Sequence, residues 1–306
     1  MHFFLLAALL PGLYWSQGVQ AAPKLKEAGI ERVCVPAGQQ EAWKQQGFAA
    51  EVFDTAHAEK AVAPGVEYRM DVASATRVPW VDANGWRFLR NPGKEFYYDV
   101  PADKAALAAA EAFAYGANAA VHVAGDPADF SAMLRFLKGL GDASMPVLAN
   151  FGIIDDGSET TAEVLNLMAR RNLLFRVVPA PDPKLDLNVR IGSPEYPKAD
   201  AEDPYSFAQK LRGDLGDAKR LLRIYGSEVV IGHLTGGEGH VRVHLLNYGR
   251  RRVEGMRVRV RGAYAHAVIA DSGVKDAMLA DFGASEGGTE FTIPAISTYA
   301  VVDLTK

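Results

Sequence analysis

Near Ile224 the chain changes its hydrophobic period, and that change limits its fold more than any count of residues. From residue 11 to about 178, short apolar runs alternate with helical stretches. From Ile224 onward, apolar residues fall at every second position between turn signals, as in Met256, Val258 and Val260 against Arg257, Arg259 and Arg261. A period of two puts one strand face on a core and the other in water. Repeated strand–helix units imply a mainly parallel sheet with helices packed on it. The expected fold is therefore α/β in front, followed by an antiparallel β-sandwich over 224–306. The α/β part is a short or incomplete (β/α) barrel-like region or an open doubly wound sheet, which this pattern leaves open. With 306 residues there is room for both domains.

The front domain is expected over 22–178. Its strands fall near 31–36, 50–54, 66–72, 76–81, 119–123, 146–151 and 173–178. Helices are expected over 19–28, 39–46, 55–62, 102–115, 126–140 and 159–170. Phe88 to Val100 contains the turn signal Arg90-Asn91-Pro92-Gly93-Lys94 and reads as a β-hairpin. Residues 179–223 form a Pro-rich connector, with one strand near 187–191, and a linker helix from Tyr205.

The N-terminus has two readings. The apolar run Phe3 to Leu10 and the small-residue site Val19-Gln20-Ala21 suggest a signal peptide over 1–21 and a secreted or periplasmic protein. Alternatively Leu13-Tyr14-Trp15-Ser16 is the first core strand of a cytoplasmic protein, which makes Tyr14 and Trp15 candidate site residues. The apolar run is too short to span a bilayer, and no other segment reads as a membrane span. A formal net charge of −4 argues against a nucleic-acid partner. The one cysteine, Cys34, permits no intramolecular disulfide and lies in an apolar run, as a buried inert thiol would.

The segment Pro79-Trp80-Val81-Asp82-Ala83-Asn84-Gly85-Trp86-Arg87 sets two of the four tryptophans beside a carboxylate, an amide and a guanidinium. Its Asn-Gly pair predicts a tight turn in a loop. Indole faces stack on sugar C–H surfaces while short polar groups take hydroxyls. Trp80, Asn84, Trp86 and Arg87 are thus candidate ligands of a glycan or other polyhydroxylated small molecule, with core anchoring as the alternative for both indoles.

Glycoside hydrolysis needs one carboxyl as acid and a second as nucleophile or base. Asp82 with Asp155 or Asp156 could supply them, although Asp155-Asp156-Gly157-Ser158 also reads as a loop capping the helix at Glu159. Asp126, before Pro127, reads as a helix cap, and Asp54 ends a strand. His122, closing a parallel strand, is the candidate functional histidine. Histidines 233, 240 and 244 could meet across a hairpin, but no carboxylate or cysteine completes a zinc set, so no metal or cofactor is expected. Glu111, in an alanine-rich helix, reads as solvent-facing or paired. Serine-hydrolase, nucleotide-loop, dinucleotide and zincin motifs are all missing from the sequence. The alternating arginines 257, 259 and 261 read as a solvated edge guarded against aggregation.

The segments Leu221 to Val230 and His244-Leu245-Leu246-Asn247-Tyr248 resemble strands in the C-terminal sandwich of secreted bacterial glycoside hydrolases of the β-galactosidase type. The likeness covers the last eighty or so residues well and the front half in outline. It implies a carbohydrate-active protein: either a glycoside hydrolase-like enzyme, or a sugar-binding or assembly protein that keeps the fold without the acid/base pair. No catalytic glutamate pair of those hydrolases matches numbered positions here.

Overall fold

The computed structural model describes residues 10–67, 79–141, 145–285 and 287–306. The α/β elements open with β1 (Gly12–Tyr14), α1 (Ala22–Glu27), β2 (Arg32–Val35), α2 (Gln40–Gln45), β3 (Ala49–Val52), β4 (Glu59–Ala61) and β5 (Gly65–Glu67). Next come β6 (Trp80–Asp82), α3 (Gly85–Arg90), β7 (Glu95–Pro101), α4 (Ala102–Ala114), β8 (Asn118–Ala124) and α5 (Ala128–Gly139). Then follow β9 (Phe151–Ile153), α6 (Glu159–Arg170), β10 (Phe175–Val177), β11 (Leu187–Val189) and α7 (Pro204–Leu215). By compactness the described residues gather into two units, one from 10–65 with 91–141, the other from 66–90 with 145–306.

The first unit is a parallel sheet of order β3-β2-β1-β8-β7-β4. Among the described residues β3 and β4 are free edges, so the strand–helix repetition leads to an open sheet. In-register partners Leu13 and Val33, Leu13 and Val121, Tyr98 and Val121, and Val100 and Val123 share one face. All are buried, each aliphatic side chain contributing about 1.5–3 kcal/mol. α4 packs on β7 and β8 and against α5. α4 begins after Pro101 and stops at Gly116, whose φ of 64° is the left-handed conformation of a helix end. The other face carries Gly12, Tyr14, Cys34, Tyr97, Asp99, Ala120 and His122. There β1 and β2 approach so closely that a Cβ on Gly12 would lie 2.4 Å from Cys34 Sγ.

In the second unit β9 runs between β10 and β11, all parallel. Phe151, Ile153, Leu165, Met168, Phe175 and Phe207 fill the core beneath it. The sandwich consists of β12 (Leu222–Tyr225), β13 (Val230–Gly237), β14 (His240–Asn247), β15 (Val253–Arg261), β16 (His266–Asp271), β17 (Ala280–Ser285), β18 (Gly288–Ile296) and β19 (Tyr299–Thr305). Its sheets, β12-β15-β18-β17 and β13-β14-β19-β16, are antiparallel throughout. Met256, Val258, Val260, Phe291 and Ile293 enclose the core with Val243, Leu245 and Val302. The fold is thus a parallel-strand sheet with helices followed by antiparallel sheets, as the change of period implies.

Several local expectations are corrected. Residues 55–62 do not form a helix: Asp54 accepts the Ala56 N–H in a single turn, and the chain then extends into β4 beside β7. Pairing with a sheet outweighs weak helix propensity over so short a stretch. Phe88 to Val100 is not a hairpin, because α3 runs to Arg90 and β7 joins the sheet in parallel. The linker helix stops at Leu215, where Gly216 adopts a φ of 75°, and Leu222–Tyr225 is a strand. The arginine-bearing β15 is no edge; it pairs with β12 on one side and β18 on the other. Most of the apolar run from Phe3, and most of the strands expected over 66–72 and 76–81, lie outside the described residues.

Candidate functional site

In the second unit the Trp80–Arg87 segment is not an open hairpin loop. β6 leads through a fully buried Asn84 into α3, and the Asn84 carbonyl accepts the N–H groups of Arg87 at 2.8 Å and Phe88 at 3.2 Å. The Asn-Gly pair starts a helix, and neither residue needs positive φ. Trp86 is 7% exposed and sits in the core with Phe151 and Leu165. The Arg87 guanidinium lies 4.3 Å above its ring. Trp80 has Arg170 stacked at 3.9 Å and donates Nε1–H to Asp82 Oδ1 at 3.0 Å.

The two aspartates of the turn before α6 are held as acceptors. Arg90 grips Asp155 with Nε at 2.7 Å and Nη2 at 2.9 Å, the side chains 13% and 16% exposed. Burial pushes the Asp155 carboxyl up, but the Arg90 bonds and the Gly157 N–H outweigh it and hold the group below its usual range. Asp156 accepts from Ser158 N at 3.0 Å and Thr161 Oγ1 at 2.7 Å, bonds that lower it to about 2. Ser158 in turn caps α6 through the Thr161 N–H. A general acid needs its pKa raised toward neutrality; both of these move the other way.

A different constellation forms at the carboxyl end of the six-stranded sheet. Strand order reverses between β1 and β8, the place where open α/β sheets leave a crevice. Three sequence candidates lie here: Tyr14, Trp15 and His122. The Tyr14 ring meets Tyr97 edge-on at 5.2 Å and 82°, Phe53 at 6.3 Å and His122 at 6.4 Å. His122 Nδ1 lies 2.7 Å from Asp99 Oδ1, its registered neighbour on β7. These two side chains are 36% and 68% exposed. Just beyond β3, exposed His57 pairs with Asp54 at 2.7 Å, which lowers the Asp54 carboxyl. Burial, with Asp99 nearby, pushes the Tyr97 hydroxyl up to about 12, so it stays a donor at neutral pH. Beneath them the Cys34 thiol is pushed up to about 11 by burial and is inert. Trp15 closes β1 through its own N–H to the Cys34 carbonyl at 2.8 Å.

Tyr14 and Phe53 are buried, 9% and 5% exposed, in a small core cluster with Cys34 and Ala120. The accessible surface is therefore the partly buried Tyr97 ring with the polar groups of His122, Asp99 and His57, a combination suited to one face of a small polyol. Phe53, Tyr97, Asp99 and His57 are absent from the sequence candidates. The alternation Tyr97-x-Asp99 on a parallel strand is the signal that marks two of them.

The remaining candidates have structural partners. Glu111 is buried rather than solvent-facing and accepts the Tyr98 hydroxyl at 2.7 Å. Asp126 accepts the Ala128 N–H at the start of α5. His244 uses both ring nitrogens, on Thr235 Oγ1 at 3.1 Å and Tyr299 Oη at 2.7 Å, while His240 bonds Asp303 at 3.1 Å.

No family model and no curated protein sequence matches the chain. Among solved structures it is similar to α-L-fucosidase isoenzyme 2 from Paenibacillus thiaminolyticus, with TM-score 0.55 and 8% identity over 94% of this chain and 71% of that one. It also matches the apo exo-carrageenase GH42 from Bacteroides ovatus at TM-score 0.38 and 7% identity, over 79% of this chain and 47% of that one. The β-galactosidase from Bacillus circulans sp. alkalophilus matches at TM-score 0.38 and 9% identity, over 90% of this chain and 63% of that one. The chain therefore has a glycoside hydrolase-like fold.

Proposed function

We propose that this is a carbohydrate-active protein that binds a glycan or other polyhydroxylated small molecule at the carboxyl end of its six-stranded sheet and does not hydrolyse it. The observation that carries the reading is the partly exposed Tyr97 ring, backed by buried Tyr14 and Phe53, beside the half-exposed His122–Asp99 pair. Hydrolysis by Asp82 with Asp155 or Asp156 is the weaker reading. Asp155 is spent on Arg90 and Asp156 on its helix cap, so neither is placed as a proton donor.

The same reading keeps residues 12–21 in the working protein. Cleavage after Ala21 would remove β1, which lies between β2 and β8 and supplies Tyr14. N-terminal sequencing of the natural product checks this: a chain beginning at Ala22 would refute it.

The functional test is a glycan array scored for retained ligand and for released sugar. Retention without release, weakened by Tyr97→Ala, is the expected result. Released sugar would restore the hydrolase reading, and a blank array would remove the ligand class.

A further inference from the structure

The outer face of the sheet β12-β15-β18 is a second polar surface, independent of the crevice in the other unit. Cross-strand register sets Tyr225 opposite Arg257 and Arg257 opposite Thr292. The next row is Arg223, Arg259 and Glu290, and Arg261 follows beside Gly288. Side chains two apart on a strand are about 7 Å apart, so four guanidiniums and one phenol share a small flat area. Because β15 is an inner strand, guarding an edge does not account for them.

The arginines are held in place. Arg259 Nη1 bonds Glu290 at 3.0 Å, and its guanidinium lies over Gly288, where a Cβ would come within 2.6 Å. Arg257 bonds the same Glu290, Arg223 reaches the Asp217 carbonyl and the Tyr225 hydroxyl, and Arg261 bonds Asp186 and the Lys219 carbonyl. Arg259 and Arg257 hold the Glu290 carboxyl below its usual range. Against the four cations stand Glu290, Asp186 and Asp281, the last accepting from Thr292. Tyr225 is 45% exposed and the Arg257 side chain 62%.

We propose that this face binds an oligosaccharide carrying sulfate or carboxylate groups, with Arg257 and Arg223 taking the anion and the Tyr225 ring taking a sugar face. Planar guanidinium forks match both oxyanions, and a half-exposed phenol on a flat sheet stacks on a pyranose. The small excess of positive charge, on a chain of net charge −4, fits a sparsely charged saccharide and not a polyanion such as nucleic acid.

Calorimetric titration of the full chain decides it, using a largely methyl-esterified oligogalacturonate, a lightly sulfated dextran oligomer and an unmodified dextran oligomer of equal length, with a single-stranded oligonucleotide as the fourth arm. Tighter binding, by about tenfold or more, of at least one charged sugar over the neutral one is expected, and which one binds separates carboxylate from sulfate as its source. Arg223→Gln with Arg257→Gln should weaken that binding about tenfold at unchanged melting temperature. Should the double variant fold poorly, the exposed Arg257→Gln alone should weaken it at least threefold. The proposal is overturned if nothing binds, if neutral dextran binds equally, if the oligonucleotide binds as tightly, or if well-folded variants bind like the parent.

Discussion

Arg90–Asp155 and His122–Asp99 are both pairs of a basic group with an aspartate, each at 2.7 Å, yet they sit in opposite settings. The first is nearly covered, bidentate, and joined to a helix terminus through the Ser158 carbonyl. The second stands half in water beside an aromatic cluster. Both carboxylate oxygens of Asp155 are bonded from within the protein, which is what a structural clamp requires. His122 and Asp99 keep hydrogen-bonding capacity to spare, which is what a ligand requires. Being in a sugar-like sequence context is therefore less informative than how completely a polar group is already satisfied.

The largest effect that could break this comparison is at Trp86. As a core anchor, Trp86→Ala should cost about 3–5 kcal/mol of unfolding free energy, measured by denaturant titration. A loss below about 1 kcal/mol would return Trp86 to the list of ligand groups.

Acid should act next, through the sandwich. Burial lowers His233 to about 3, and burial with His233 and Arg242 nearby lowers His244 well below 6.5. Below pH 6.5 the unfolded chain takes up protons that these folded imidazoles refuse, so stability is complete above 6.5 and falls as pH falls. The loss at pH 5 should be about 2 kcal/mol from His233, with a further loss in the same direction from His244. Asp155 and Asp156 add a separate loss only below about pH 4, as each is protonated more readily unfolded than folded. Melting temperatures at pH 7 and pH 5 test it; a flat profile would mean that the sandwich accommodates imidazolium.

Arg90→Ala comes third, with an expected loss of about 2–3 kcal/mol from leaving a largely covered carboxylate without its partner. His122→Ala, at the more exposed pair, should fall within about 0.5 kcal/mol of the parent. Equal losses in the two variants would erase the distinction drawn above.

These contrasts also show what can be read in a sequence and what cannot. The period change at Ile224 and the caps at Gly116 and Ser158 are local signals, and the fold obeys them. Residues 55–62 and 88–100 went to other structures because partners distant in the chain, β7 for β4 and β8 for β7, decide whether a short segment extends. The candidate site follows the same division. Tyr14 and His122 are visible as strand ends, whereas Phe53, Tyr97 and Asp99 join them only through the strand order, which no local pattern encodes. In the sequence a catalytic role for Asp155 stays open beside the capping loop, because its partner, Arg90, is 65 residues away.

The effect on ligand affinity is the one that sharpens the comparison most. If the surface at Tyr97 binds a polyol, Tyr97→Ala should weaken binding by about 1–3 kcal/mol, in the range of other stacked rings. Tyr97→Phe should retain most of it, because the ring face contributes more than one hydroxyl. Asp99→Asn keeps a hydrogen-bonding group of the same shape but removes the charge that orients His122, so a loss of about 1 kcal/mol is expected. Both side chains are partly open to solvent, so the melting temperatures of the three variants should stay near that of the parent. Titration with the best array ligand, with melting recorded on the same samples, gives both quantities. Unchanged affinity in Tyr97→Ala, with the protein still folded, would show that the Tyr97 ring is packing and that no ligand rests on it.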